Sequence, residues 1–218
     1  MHAFAGGLQG GNHERKRMGP RSLSISDLLL SRRSCRDFSD SPLTGDVLVS
    51  ILWAAQGITG SEGKRTALSA GALYPLRLFV AMRNVKDFKP GLYHGYDAPS
   101  GMLSCIREGN ILPALETSAL EEQPWVGQAS AVIVIAADFT SARQTFAEQP
   151  PQGIRGERYI WIEAGATAQN MHLQATDMGL GGVLVAGIDD VATSEALDLD
   201  PPWDPVLLFC LGYPCEKL

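Results

Sequence analysis

The stretch Arg155–Gly187, RGERYIWIEAGATAQNMHLQATDMGLGGVLVAG, decides the fold. Every residue from Arg155 to Met178 permits a helix. Ile160, Ile162, Ala164, Ala166, Ala168, Met171, Leu173 and Ala175 put small or apolar groups on nearly every face. A helix apolar all round must be buried, either in the centre of a domain or at an interface. Gly179 supplies its C-cap, Gly182–Gly187 reads as a strand, and Asp189 stands as the N-cap of a short helix.

Upstream, Phe139–Gly153 reads as a loop ending in Pro150-Pro151, long enough to suspect a function. The apolar run Ala129–Ala137 before it is a buried strand, preceded by a helix over about Asn110–Leu120. Leu76–Met82, Gly91–Tyr96 and Met102–Ile106 favour strands, joined by turns around Lys86–Pro90 and Asp97–Gly101. Thr44 opens a helix in which Leu48, Ile51, Leu52 and Ala55 recur at helical spacing until Gly57 stops it, and Gly57–Thr66 follows as a polar, glycine-rich loop. Ser24 and Asp27 have capping-box spacing and begin a helix over about Ser24–Ser34. Pro205–Leu211 is the last buried strand. With no internal repeat and no second domain, the class is α+β. Residues 23–218 form one domain, and residues 1–22 form a flexible arm with Gly6, Gly7, Gly10 and Gly11 ahead of the basic stretch His13–Arg21.

Composition narrows the partners. The chain has 218 residues, 45% of them hydrophobic, enough for a sizeable core. A net charge of -6 argues against coating nucleic acid, which requires an excess of Lys and Arg. No apolar run is long enough for a membrane span, and the first residues lack a secretory signal. Cys35, Cys105, Cys210 and Cys215 form no CxxC pair, and His2, His13, His94 and His172 form no ligand pattern, so no metal site is expected. The cysteines read as thiols in a reducing cytoplasm, with Cys210 in the core and Cys215 at the surface.

Three constellations carry chemistry. In Arg32-Arg33-Ser34-Cys35-Arg36-Asp37-Phe38, Arg32 and Arg36 stand one helical turn apart and would present two guanidinium groups on one face, suited to a phosphate with Ser34 as a further donor. Equally, these cations could complement the negative end of a helix. Ser69-Ala70-Gly71-Ala72-Leu73-Tyr74-Pro75 offers small residues that let the backbone approach a flat ligand, or simply a tight turn into a strand. Gly179-Leu180-Gly181-Gly182 leads into Val183–Gly187 with a glycine at each bend. This is not the dinucleotide-binding GxGxxG, because here the glycines follow a helix and lead into a strand. Gln169, Asn170 and Gln174 read either as site residues or as hydrogen-bonding residues at an interface.

The order of these pieces resembles the nitroreductase family, in which an RRSxRxF-like helix end, a SAG-YP-like turn, a long buried helix and a GLG-strand-G segment recur. Leu52–Gly60 (LWAAQGITG) and Gly156-Glu157-Arg158-Tyr159 also resemble the SagB/ThcOx-like dehydrogenase branch. The resemblance spans Ser24–Pro214 and implies a nitroreductase-like fold, with a central mixed sheet flanked by helices and the long helix at a homodimer interface. It implies FMN held between two subunits. Arg32, Arg33 and Ser34 would hold the phosphate and ribityl chain, and Arg36 would lie toward the pyrimidine edge, where a cation stabilises the charge of reduced flavin. Ser69, Ala70 and Gly71 would line the ring, the backbone of Val185, Ala186 and Gly187 would meet flavin N5, and Lys217 would be the C-terminal phosphate contact.

The implied activity is hydride transfer from NADH or NADPH to a small electron-poor acceptor such as a nitroaromatic or quinone. Flavin carries that chemistry, so no acid–base dyad is needed. The alternatives are oxidation of azoline heterocycles in a modified peptide and flavin binding without efficient turnover. Two departures bear on the choice: Leu68 stands where the family commonly has Pro, and Pro151-Gln152 stand where the peptide-azoline dehydrogenases carry a Lys-Tyr pair.

Overall fold

The computed structural model describes residues 23–60, 62–97 and 102–216. The expected arm and Lys217 lie outside them. Helix α1 (Ile25–Ser31) begins at the capping box, with Ser24 and Asp27 exchanging side-chain and backbone bonds. Helix α2 (Gly45–Gln56) begins at the Thr44 cap and stops at Gly57. The loop expected after Gly57 folds back on itself, pairing β1 (Ile58–Thr59) with β2 (Lys64–Arg65).

The sheet is built from β3 (Leu76–Met82), β4 (Gly91–Asp97), β5 (Met102–Glu108), β6 (Ala131–Asp138), β7 (Gly181–Val185) and β8 (Trp203–Gly212), in the order β5-β4-β3-β6-β8-β7. Its ladders are antiparallel throughout. The mixed character expected from the sequence is reduced to a parallel bridge, Ser34 with Gly182, on the free edge of β7.

Both faces of the sheet are covered, which is why β6 and β8 read as unbroken apolar runs. Ile133, Ile135, Leu207, Phe209 and Leu211 pack with Leu48, Ile51 and Leu52 of α2 and with Ile160, Ala164 and Met171 of α6 (Arg155–Asp177). The alternate residues Val132, Val134, Leu208 and Cys210 pack on the other side, with α3 (Leu112–Ser118), α4 (Trp125–Gln128) and α7 (Asp190–Leu197). Between Ile135 and Ala136 the β6–β8 register skips Val206. That bulge turns Val206 to the same side as Leu207 and accommodates Pro205, which has no N–H for the ladder.

Two expectations change. The first half of the supposed loop Phe139–Gly153 is helix α5 (Phe139–Thr145), because Asp138 caps it by accepting from the Ser141 N–H at 2.8 Å. Helix α6 is not apolar all round: it buries Glu163, Thr167 and His172 beside its apolar face, while Trp161 and Ile162 on the outer side are each 53% exposed. Helix α1 buries none of its residues and leaves Ile25, Leu29 and Leu30 exposed. Among the described residues no helix is long and apolar enough to cross a membrane.

Gly182 shows how closely β7 and β8 are fitted. A Cβ there would stand 2.7 Å from Phe209 Cζ, and Phe209 is fully buried. Gly182→Ala should therefore cost about 1–3 kcal/mol of stability. Urea unfolding should show a lower midpoint at unchanged slope, and an unaltered midpoint would contradict this packing.

Candidate functional site

The arginine segment is extended rather than helical. Helix α1 ends at Ser31, Ser34 bridges Gly182, and the Cys35 N–H donates to the Gly182 carbonyl at 2.9 Å. The free edge of β7 therefore takes this segment as a short added strand, overriding the one-turn spacing expected for Arg32 and Arg36. In this segment Cys35 is buried, 5% exposed, while Ser34 and Arg36 on either side of it are exposed. Gly181 makes room for that thiol, since a Cβ there would lie 2.5 Å from Cys35 Sγ.

Arg33 behaves differently from its neighbours. Its Nη1 donates to the carbonyls of Leu30 and Arg32, each at 2.9 Å, so its side chain closes the end of α1. Complementing a helix terminus, one of the two readings of this cluster, thus describes the Arg33 Nη1 contacts. The Arg36 guanidinium lies 5.2 Å from the centre of the Trp125 ring. Among the described residues no carboxylate pairs with Arg32 or Arg36.

Behind this segment, His172 Nε2 donates to the Arg33 carbonyl at 3.0 Å. Burial lowers the His172 pKa and the Arg32 charge adds to this, against main-chain bonds at Arg33 and Gly182 that raise it. The ring is held by backbone and by Phe209, whose ring meets it edge-on at 5.5 Å.

The Ser69–Tyr74 turn is tightly constrained. Gly71, Ala72 and Tyr74 have φ of 58°, 54° and 51°, and left-handed backbone at the two non-glycine positions costs roughly 1–2 kcal/mol each. Part-buried hydrogen bonds hold it. The Ala70 N–H donates to Glu163 Oε1 at 2.7 Å, and the Ser69 hydroxyl, which accepts from the Tyr74 N–H at 2.8 Å, also hydrogen-bonds the Glu163 carboxylate. Glu163 is 3% exposed. Burial raises its pKa above the ordinary 4.5, and the bonds from Ala70 and Ser69 oppose that shift without cancelling it.

At the end of β7, Val185 is buried and Ala186 exposed. The Gly187 carbonyl accepts from the Leu120 N–H at 2.8 Å and from Gln123 Nε2 at 3.3 Å. The Gly187 N–H has no partner among the described residues. A cleft of about 380 Å³ opens beside it, lined by Gln123, Glu116, Glu121 and Glu122. Arg36 stands over Trp125, and Gly187 accepts from Gln123, two residues earlier in the same segment.

The structure thus bridges Ser34, between Arg32 and Arg36, to Gly182 at the edge of β7, and fastens Ser69–Gly71 to α6. Among the described residues no hydrogen bond or ion pair joins the turn to the arginine segment. Their common support is α6, which carries Glu163 and His172 nine residues apart, ~13 Å along the axis at 1.5 Å per residue. Asn170 donates to the Thr66 carbonyl at 3.1 Å, an intrachain role that replaces the interface reading for this residue. The missed site residue is Glu163. Its signal was a lone acid inside an apolar helix with no cation three or four residues away, a pattern that requires buried hydrogen-bond donors.

The two ionisable groups bonded to these segments, His172 and Glu163, are engaged with the main chain of Arg33 and Ala70. Pro151 and Gln152 are exposed, and the Tyr159 hydroxyl is spent on Gln149 Oε1 at 2.8 Å. Among the described residues no cluster of His, Cys, Asp or Glu could hold a metal ion. Two uncompensated arginines, a free main-chain donor and a turn that exposes its backbone fit a flat ligand with an anionic group, as FMN is.

The Nitroreductase family matches residues 29–213. A protein of Methanocaldococcus jannaschii, provisionally named nitroreductase MJ1384, is 35% identical over 194 residues, covering 89% of this chain and 93% of its own. Among solved structures, a provisionally named nitroreductase from Ralstonia eutropha superposes with a TM-score of 0.74 at 27% identity, over 93% of this chain and 88% of that one. The E. coli microcin synthetase complex with truncated pro-peptide gives 0.69 at 23% identity, over 96% and 80%. The NADPH:FMN oxidoreductase of Vibrio harveyi with NAD+ gives 0.60 at 22%, over 88% and 69%; at these identities the last two bear on the fold alone.

Glu163 supplies a pH test. Its folded pKa is raised, so its stabilising contribution is complete below the unfolded value near 4.5 and is lost as pH rises through the folded value. Wild-type protein should therefore lose stability relative to Glu163→Gln as pH climbs above 4.5. A pH-independent difference in paired urea titrations would contradict the buried carboxylate.

Proposed function

Because the chain belongs to the Nitroreductase family, we propose that it is an FMN-dependent oxidoreductase, taking hydride from NADH or NADPH and passing it to a small electron-poor acceptor such as a nitroaromatic or quinone. The feature that supports this reading is the edge of β7, where Ser34 bridges Gly182 between two arginines with no acidic partner among the described residues. Beyond the strand end, the Gly187 N–H has no partner among them. Bound FMN would supply the hydride chemistry, and the protein binds, orients and excludes water. Arg32 and Ser34 take the phosphate and ribityl chain. Arg36, steadied on Trp125, places a cation toward the pyrimidine edge. Ser69, Ala70 and Gly71 line the ring, held there by Glu163. The main chain of Val185–Gly187 offers a donor toward N5.

The protein works as a cytoplasmic homodimer. The exposed Ile25, Leu29 and Leu30 of α1 and Trp161 and Ile162 of α6 are the apolar surface that a second copy covers, and the flavin lies between the two subunits.

The fold likeness to the microcin synthetase complex keeps azoline oxidation as a second reading. That chemistry removes a carbon-bound proton and needs a base within hydrogen-bond reach. Pro151 and Gln152 cannot provide one, Tyr159 is engaged with Gln149, and His172 Nε2 is engaged with the Arg33 carbonyl. Hydride delivery from a nicotinamide has no such requirement, which favours the reductase. Flavin binding without turnover is separated from both by experiment.

Purified protein should be yellow, with one FMN per subunit bleached by NADH or NADPH and reoxidised by a quinone. Arg32→Ala should weaken FMN binding by about tenfold or more, since a hydrogen bond to a charged group contributes ~1.5–3 kcal/mol. Unchanged FMN affinity in that variant would sink the phosphate assignment. Flavin that neither nicotinamide reduces would favour the binding-only reading.

A further inference from the structure

The small β1–β2 hairpin carries a further guanidinium that no acid among the described residues neutralises. Arg65 Nη1 donates to Gln56 Oε1 at 3.0 Å, and Gln56, 4% exposed at the end of α2, donates through Nε2 to Thr167 Oγ1 on α6 at 3.1 Å. The guanidinium carbon lies 4.7 Å from the centre of the Tyr74 ring. The backbone beside it is pinned on three sides. The Thr66 N–H donates to the Gly57 carbonyl at 2.8 Å, its hydroxyl to the Trp53 carbonyl at 3.0 Å, and its own carbonyl accepts from Asn170. The neighbouring acid, Glu62, pairs with Lys64 at 2.6 Å, and among the described residues no carboxylate pairs with Arg65.

An arginine free in solution has several rotamers to lose on binding. Here a buried amide and an aromatic face have already fixed them, while most of its five N–H donors remain unspent. A fork held in this way matches an oxyanion bidentately, which a lysine cannot do. Tyr74 also ends the strained turn that begins at Ser69, so the fork stands at the border of the segment assigned to the flavin ring.

We propose that Arg65 is a phosphate-binding arginine of this site, taking either the phosphate of the flavin nucleotide or a phosphate of the nicotinamide donor. This rests on the flavin reading above. The test compares wild type, Arg65→Gln and Arg65→Lys in two arms: affinity of the apoprotein for FMN and for riboflavin, which lacks the phosphate, and KM for NADH and NADPH in FMN-loaded enzyme.

If the flavin phosphate is the ligand, FMN affinity falls about tenfold or more in Arg65→Gln while riboflavin affinity holds, and Arg65→Lys recovers only part, keeping charge without the fork. If the nicotinamide phosphate is the ligand, both flavins bind as in wild type and KM rises about tenfold with kcat retained. Equal losses for FMN and riboflavin would make Arg65 a structural clamp on the turn and overturn the proposal, as would no change in either arm. Wild-type apoprotein that binds neither flavin would instead refute the underlying flavin reading, and the proposal with it.

Discussion

A carboxylate buried in the middle of a long helix is the interaction on which the site depends. Taking Glu163 out of water is costly unless donors meet it, and the donors that meet it are the Ala70 N–H and the Ser69 hydroxyl. The same bonds hold Ala72 and Tyr74 in left-handed backbone that neither residue would adopt alone. Each cost is thereby set against the other: the helix needs the turn to satisfy its acid, and the turn needs the acid to keep its shape.

One helix turn after another, α6 repeats this logic. Thr167 reaches Gln56 and through it Arg65, Asn170 reaches Thr66, and His172 reaches the carbonyl of Arg33. The helix then hands the chain through Leu180 to β7, whose edge receives Ser34 and Cys35. A single rigid element thus sets the positions of the turn, the arginine segment and the strand end, although they are far apart in sequence. Its outer face leaves Trp161 and Ile162 exposed.

Much of the fold was legible because its signals are local. Thr44 and Gly57 bound α2, Ser24 and Asp27 start α1, and Asp189 caps α7, each through groups within a few residues. The cap at Asp138 was just as local but was hidden by the apolar strand it ends, so α5 read as loop. In the site, Arg32, Ser34 and Arg36 lie on an extended segment past the end of α1 rather than on the turn of a helix. The Gly182 carbonyl that draws Cys35 into line is 147 residues away in the chain, and no local pattern announces it. The same holds for Arg65 on Tyr74, where neither residue alone suggests the other.

The central claim is that α6 holds three separate segments as parts of one flavin site. Hydrogen–deuterium exchange of the apoprotein with and without saturating FMN tests it most directly, because bound ligand slows local opening wherever it is gripped. The account predicts slower exchange together in residues 32–36, 69–74 and 185–187, with α6 protected in both states. Protection confined to one of these segments, or appearing only elsewhere in the chain, would contradict it.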